Sequence, residues 1–286
     1  KGGEWRPEFW QERRAMNDVQ NLRNLRDLSP TELRRLIRTG QYTSDTTGLA
    51  MGYIQGNLAI LPSKYALDFA TFCQRNPKPC PLVAVSEAGS TALPTLAHDF
   101  DLRTDVSKYR VFRNGEAVEE VTDITDYWQD DFVAFVLGCS YSFEEALLSA
   151  GLPLRHIDLG CEVPAYETNI ATTKSGPFEG EMVCSMRPFK PADAIRAVEV
   201  TSRFPLTHGS PVHFGDPAAI GIDDITKPEY GDPLVIEPGE VPVFWACGIT
   251  PQVVIKQAKP DLCITHVAAH MLITDLPSKG SAEALP

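Results

Sequence analysis

An unbroken apolar run, Phe132–Gly138, passes directly into an amphipathic stretch that closes on Gly151. β-Branched and aromatic residues bounded by glycine predict a strand covered on both faces. Ser142 and Glu145, three apart, predict a capping box that opens a short helix just after Ser142, completed by Ala146–Gly151 with glycine at its end. The same grammar recurs along the chain. Ser29-Pro-Thr-Glu32 is a second capping box with proline at the first helical position, and the helix it opens stops at Gly40. Residues 52–62 are apolar and extended. A helix is predicted over 63–75, with Tyr65, Ala66, Phe69, Phe72 and Cys73 on one face, ended by Pro77, Pro79 and Pro81.

Leu82–Ser86 predicts a short strand, and Asn114-Gly115 turns a hairpin over residues 108–122. Further on, the pattern predicts strands over Met182–Met186 and Pro211–Phe214, a helix over Pro191–Phe204, and a loop over 223–238. Val241–Gly248 then runs as a strand into a helix from Thr250 to Ala258, repeating the strand, small residue and helix order seen at Cys139. Residues 262–276 supply the last extended segments. Strands alternating with helices argue α/β. The expected architecture is a two-domain, three-layer α/β/α sandwich with a smaller inserted α+β domain. Residues 16–150 plus 232–286 would form the main domain, 151–231 the smaller lobe and 1–15 an extension, with Met16 a natural start.

Composition narrows the function classes. A net charge of −12, spread along 286 residues, disfavours nucleic acid and anionic membrane as partners. No apolar run approaches the length of a membrane-crossing helix. Seven cysteines, odd in number and scattered, form neither a disulfide framework nor paired zinc knuckles, so a reduced, cytoplasmic setting is expected, with the mitochondrial matrix left open. No glycine-rich phosphate loop is present, so no nucleotide cofactor is expected; a divalent metal stays open. The expected partner is a small-molecule carboxylate substrate, and homo-oligomerisation is left open.

Chemistry-bearing residues gather at predicted strand and helix ends. Cys139, Ser140 and Ser142 lie where a strand enters a helix, a position where helix N–H groups hold anions. The plainer alternative there is a buried thiol and a cap. His208-Gly-Ser-Pro-Val-His213-Phe-Gly-Asp216 places two histidines and a carboxylate between glycines and prolines. His213 suits a general acid or base, with Asp216 as its orienter; a structural turn with one surface histidine is the alternative. A metal reading is weaker, because no third ligand stands at recognisable spacing. Arg187, at a strand end, can grip a carboxylate bidentately, and Arg75 can do the same or cap its own helix. Asn169 offers an amide in what is expected to be a loop.

Taken together, the strings Gln55-Gly-Asn-Leu, Phe72–Pro81, Gly138–Glu145, Met186-Arg-Pro188, His208–Pro217, Gly239–Pro251 and Thr274-Asp275 resemble the hydro-lyase family also named for D-glutamate cyclase, over about Leu28 to Leu276. The resemblance implies a two-domain α/β protein and elimination of water, with D-glutamate cyclised to 5-oxo-D-proline. It also marks two departures. The loop from Cys161 to Asn169 carries Glu167 where bacterial relatives are expected to carry a basic residue, and Ala268-Ala269 stands where Pro-Gly is expected. In this reading His213, Asp216, Cys139 and Ser140 are the catalytic group, and Arg187, Ser142, His208, Arg75 and Asn169 bind substrate. The alternatives are a hydro-lyase for another small acid and a non-catalytic acid-binding or regulatory protein.

Overall fold

A computed structural model describes residues 25–278, so the expected extension over 1–15 and the start at Met16 lie outside the described residues. Helix α1, Pro30–Arg38, forms as its capping box requires: Ser29 Oγ accepts from the Glu32 N–H and the Glu32 carboxylate accepts from Ser29 N–H. Two antiparallel sheets follow. The first holds β1 (Tyr53–Pro62), β2 (Leu82–Val85), β3 (Tyr109–Arg113), β4 (Glu116–Val121), β5 (Phe132–Gly138), β10 (Cys263–His266) and β11 (Leu272–Pro277). Its order is β2-β5-β1-β10-β3-β4, with β11 also paired to β1. The second holds β6 (Ala165–Ala171), β7 (Glu181–Phe189), β8 (His213–Phe214) and β9 (Val241–Ala246) in the order β6-β7-β9-β8.

Helix and strand do mix as expected, but every pairing in both sheets is antiparallel. Strand β9 pairs with β7 and β8, so the expected boundary at residue 231 does not follow the sheets. Apolar continuity shows that a strand is buried; it does not show which sheet buries it. The segment containing Asn169, expected as a loop, is strand β6.

Both faces of the first sheet are covered. Leu58, Ile60, Ala134, Val136 and Ile264 pack on one side with the segment 93–106; Ala59, Leu61, Val133 and Phe135 pack on the other against α2 (Ala66–Arg75). Phe69 of α2 meets Phe135 and Phe178 edge-on, with centroids 4.9 and 5.1 Å away. The hairpin turn places Asn114 at φ 53° and Gly115 at φ 83°, the pair of left-handed residues that matches strand twist. Ala269 also has positive φ, 65°, at the position where glycine was expected and would be unstrained. None of the described helices is long and apolar enough to cross a membrane.

Candidate functional site

Strand β5 hands the chain from the first sheet to α3 (Tyr141–Ser149), which packs through Phe143 and Leu147 on the second. The crossing is held from below by β1. Asn57 Nδ2 donates to the Gly138 carbonyl at 2.9 Å, and a side chain at Gly248, just before α6 (Thr250–Ala258), would collide with the same amide. Gly138 is equally constrained, since a Cβ there would sit 1.7 Å from the Leu206 carbonyl oxygen. The two strand-to-helix turns seen in the sequence therefore converge on Asn57, with the segment before His208 pressed against one of them.

The helix starts two residues earlier than predicted. Ser140 is its N-cap residue and makes no side-chain cap; Ser142 is inside the first turn, and its Oγ accepts from the Gln55 N–H at 2.9 Å. The expected box of Ser142 and Glu145 is thus replaced by a bond from α3 to β1, and the glutamate that faces inward is Glu144. The first N–H groups are already engaged as well: Ser142 and Phe143 N–H donate to the Cys139 and Ser140 carbonyls, and the Tyr141 N–H faces the Cys139 sulfur. An anion here would meet side chains rather than a free helix terminus.

Those side chains form a sealed ionic cluster. The Arg187 guanidinium on β7 donates to Ser140 Oγ at 3.1 Å, to Ser185 Oγ at 3.2 Å and to Glu144 Oε1 at 2.5 Å. Glu144 Oε1 also meets His156 Nε2, on the short helix α4 (Arg155–Leu159), at 2.9 Å. Arg187 lies over Phe143 and Trp245, 5.4 and 5.6 Å from their ring centres. Arg187 is 1% exposed, and Glu144 and His156 are fully buried. Burial alone would raise the Glu144 carboxyl, but His156 and Arg187 overcome it and hold it at about 2, so it is ionised. Arg187 Nε, Glu144 Oε2, His156 Nδ1 and His208 Nε2 are buried without a hydrogen-bond partner. Unsatisfied groups of this kind are rare in folded proteins, and three within one ionic cluster, with a fourth on His208, call for an explanation.

Ser140, Cys139 and Arg187 are brought together, and His208 lies within electrostatic reach of Arg187. Cys139 is a poor nucleophile: burial, with Cys247 adding to it, pushes its thiol up to about 12. His213 and Asp216 are elsewhere. On β7 and β9, Arg187, Val243 and Trp245 face α3, whereas Met186 and Phe244 face the opposite core. His213 pairs with Phe244 in register, and its ring lies 5.7 Å from the Phe244 ring, so it sits on the face away from Arg187. Its Nε2 bonds the Asp216 backbone carbonyl, while the Asp216 carboxylate caps a short 3₁₀ turn through the Ala218 N–H. The expected acid–base pair is a capped turn on the second sheet's edge.

Arg75 donates to the Lys174 carbonyl at the surface. Asn169 is exposed and packs against Gly221, beside an open depression lined by Glu167, Asp223, Asp224 and Glu229 with Lys227 as its one cation. That lining repels a carboxylate. No group of three or more described His, Cys, Asp or Glu residues is arranged to hold a metal ion.

Sequence reasoning missed Glu144, His156, Ser185 and Asn57. For Glu144 a signal existed: counted from Ser140, it falls one turn on, beside Phe143 and Leu147 on the apolar stripe. Glu162 was missed too. Burial, with Asp45 and Asp232 nearby, pushes its carboxyl up to about 7.

Comparison with known proteins gives this chain a family. Residues 133–275 match the family model described as D-glutamate cyclase. A Bordetella petrii protein named as a putative hydro-lyase is 61% identical over 239 residues, covering 84% of this chain and 90% of that protein. A Verminephrobacter eiseniae protein of the same name is 61% identical over 245 residues, 86% of this chain and 89% of its own length. One from Bradyrhizobium diazoefficiens is 57% identical over 256 residues, 90% and 94% of the two chains. Among solved structures, a nitrogen repressor-like protein from Methanococcus jannaschii aligns with a TM-score of 0.40 at 13% identity, over 88% of this chain and 99% of that one, a likeness too slight to bear on function. Matched over most of its length at such identity, the chain belongs to the D-glutamate cyclase family of hydro-lyases.

Proposed function

We propose that this protein cyclises D-glutamate to 5-oxo-D-proline and water at the Arg187 cluster. In this reading the substrate sits where the two sheets meet, between a main domain built on the first and an inserted lobe built on the second. The observation that carries the proposal is the set of three buried, unpartnered polar atoms within the Arg187–Glu144–His156 cluster, with a fourth, His208 Nε2, on a residue within electrostatic reach of Arg187. Arg187 keeps its Nε–H for a carboxylate. Ser140 Oγ accepts from Arg187, which leaves the hydroxyl proton free to donate. Together they suit a carboxylate, or the oxyanion that forms when the substrate amine attacks its own γ-carboxyl group. Glu144 is spent on fixing Arg187 and is a positioning residue.

Direct NMR of the protein with D-glutamate, L-glutamate and 5-oxoproline, with and without added divalent metal, tests the reading. Interconversion of the D isomers supports it. A protein that leaves D-glutamate untouched in every condition, while dehydrating another small hydroxy or amino acid, would move the chemistry to that acid.

A further inference from the structure

Cyclisation needs a base for the ammonium proton, and the residue pair expected for that work lies on the other face of the second sheet. A different histidine, His208, lies within electrostatic reach of Arg187. His208 is 1% exposed, and its Nδ1 lies 2.7 Å from the Lys78 carbonyl oxygen. A carbonyl only accepts, so Nδ1 carries the proton and Nε2 presents a lone pair. That Nε2 is buried and has no partner.

The backbone adds a second, independent observation. His208 has φ 80°, a left-handed conformation that costs a residue with a side chain, and it follows Leu206, whose carbonyl oxygen abuts Gly138 at the root of the Cys139–Ser140 turn. Strain of this kind persists where the surroundings enforce it, and such places cluster at working sites. The backbone leading into His208 is thereby pressed against the strand end from which Ser140 reaches Arg187, and the imidazole lies within electrostatic reach of that guanidinium.

We infer that His208 Nε2 is the base that receives the substrate's ammonium proton, an inference that rests on the D-glutamate reading above. The nitrogen–Cδ bond forms as one Cδ–oxygen bond of the γ-carboxyl group breaks. The nitrogen loses two protons, and both leave with that oxygen as water, one of them carried by His208. Burial, with Arg187 and Lys78 as the facing cations, lowers the imidazole to about 4, although its bond to the Lys78 carbonyl works the other way. At neutral pH His208 is therefore a neutral acceptor, and the substrate's carboxylates would raise its basicity on arrival.

His208→Gly tests this cleanly, because glycine accepts φ 80° without strain and leaves room for a small base. Turnover of D-glutamate should fall about 100-fold or more. Added imidazole should restore part of it, with the restored rate rising as imidazole itself deprotonates. Turnover close to wild type, or a loss that imidazole does not relieve in a variant that melts normally, overturns the inference. Should the glycine variant not fold, His208→Asn tolerates the same backbone. It must then lose the acid limb of the wild-type kcat/KM profile; a surviving limb overturns the inference. Failure of the wild type to turn over D-glutamate sinks the substrate reading separately. His208 is then judged by its Nε2 resonance during titration with acetate: a shift keeps the base in the anion's site, and an unmoved resonance removes it.

Discussion

Among the described residues two arginines are sealed from water, and they keep different company. Arg34 of α1 is fully buried and donates to Asp275 at 2.8 Å and to Asp99 at 2.5 Å, with its guanidinium over the Phe100 ring. Those carboxylates reach water, Asp275 at 41% and Asp99 at 37% exposure. Arg187 has one carboxylate partner, itself fully buried and shared with a buried histidine. The first arrangement clamps α1 to β11 and lets solvent bear part of the charge. The second takes a cation, an anion and an imidazole out of water together, which replacement by apolar groups of similar shape commonly equals or betters for stability. A clamp has no reason to be built that way; a preorganised anion site does.

The widest separation between the two clusters should come from removing one charge. Glu144→Gln leaves Arg187 buried without its counter-ion and should cost about 3–5 kcal/mol. Urea unfolding measures it. Combining Arg187→Met with Glu144→Leu should recover most of that stability while abolishing turnover; a double variant that stays active would erase the functional half of the contrast.

Acid should expose the same difference more gently. His208 and His266 are buried, His270 is largely so, and burial lowers each from 6.5 to about 4. The unfolded chain therefore takes up protons first, so stability is full above 6.5 and is lost as pH falls toward 4. For His208 alone the loss is about 3 kcal/mol. The Glu144 contribution is present above 4.5 and disappears only as pH falls toward 2. Glu162 works in the other sense: its folded value near 7 means that the native state gains on acidification from 7 toward 4.5. Thermal midpoints between pH 7 and 4 should thus fall with the histidines, and fall further in Glu162→Gln, which lacks the compensating uptake.

The smallest effect belongs to the clamp. Asp275→Asn should cost about 1 kcal/mol or less, because Asp275 is half in water and Asp99 still holds Arg34. Added salt should shrink that difference further while leaving the Glu144→Gln deficit intact.

Local rules made much of this fold legible. The Ser29 box, the Asn114-Gly115 turn, the apolar face of α2 and the buried run of β5 are decided by neighbours in sequence. Antiparallel pairing was not legible, since Ala59 opposite Thr265 is a contact no window contains. The nearness of Arg187, Ser140 and Cys139 was legible because strand ends and helix starts announce themselves. That His213 lies on the other face was not, because alternation along β8 fixes that its neighbours face oppositely, without fixing which face meets Arg187. Choosing Glu145 over Glu144 was a two-residue error in the helix start, and on a helix that turns the wrong side chain inward.

Strand β1 pairs with β5 on one side and with both β10 and β11 on the other. Contacts this distant along the chain form slowly. As the chain emerges during synthesis, the second sheet can assemble once residue 246 has appeared, whereas the first waits for residues 263–277. Until then β1 has an open edge, and Asn57, on which both turns rest, lies on that unfinished strand. The corner that holds Arg187 is therefore assembled at the end of folding, and a nascent chain acquires its second sheet before it acquires the proposed site.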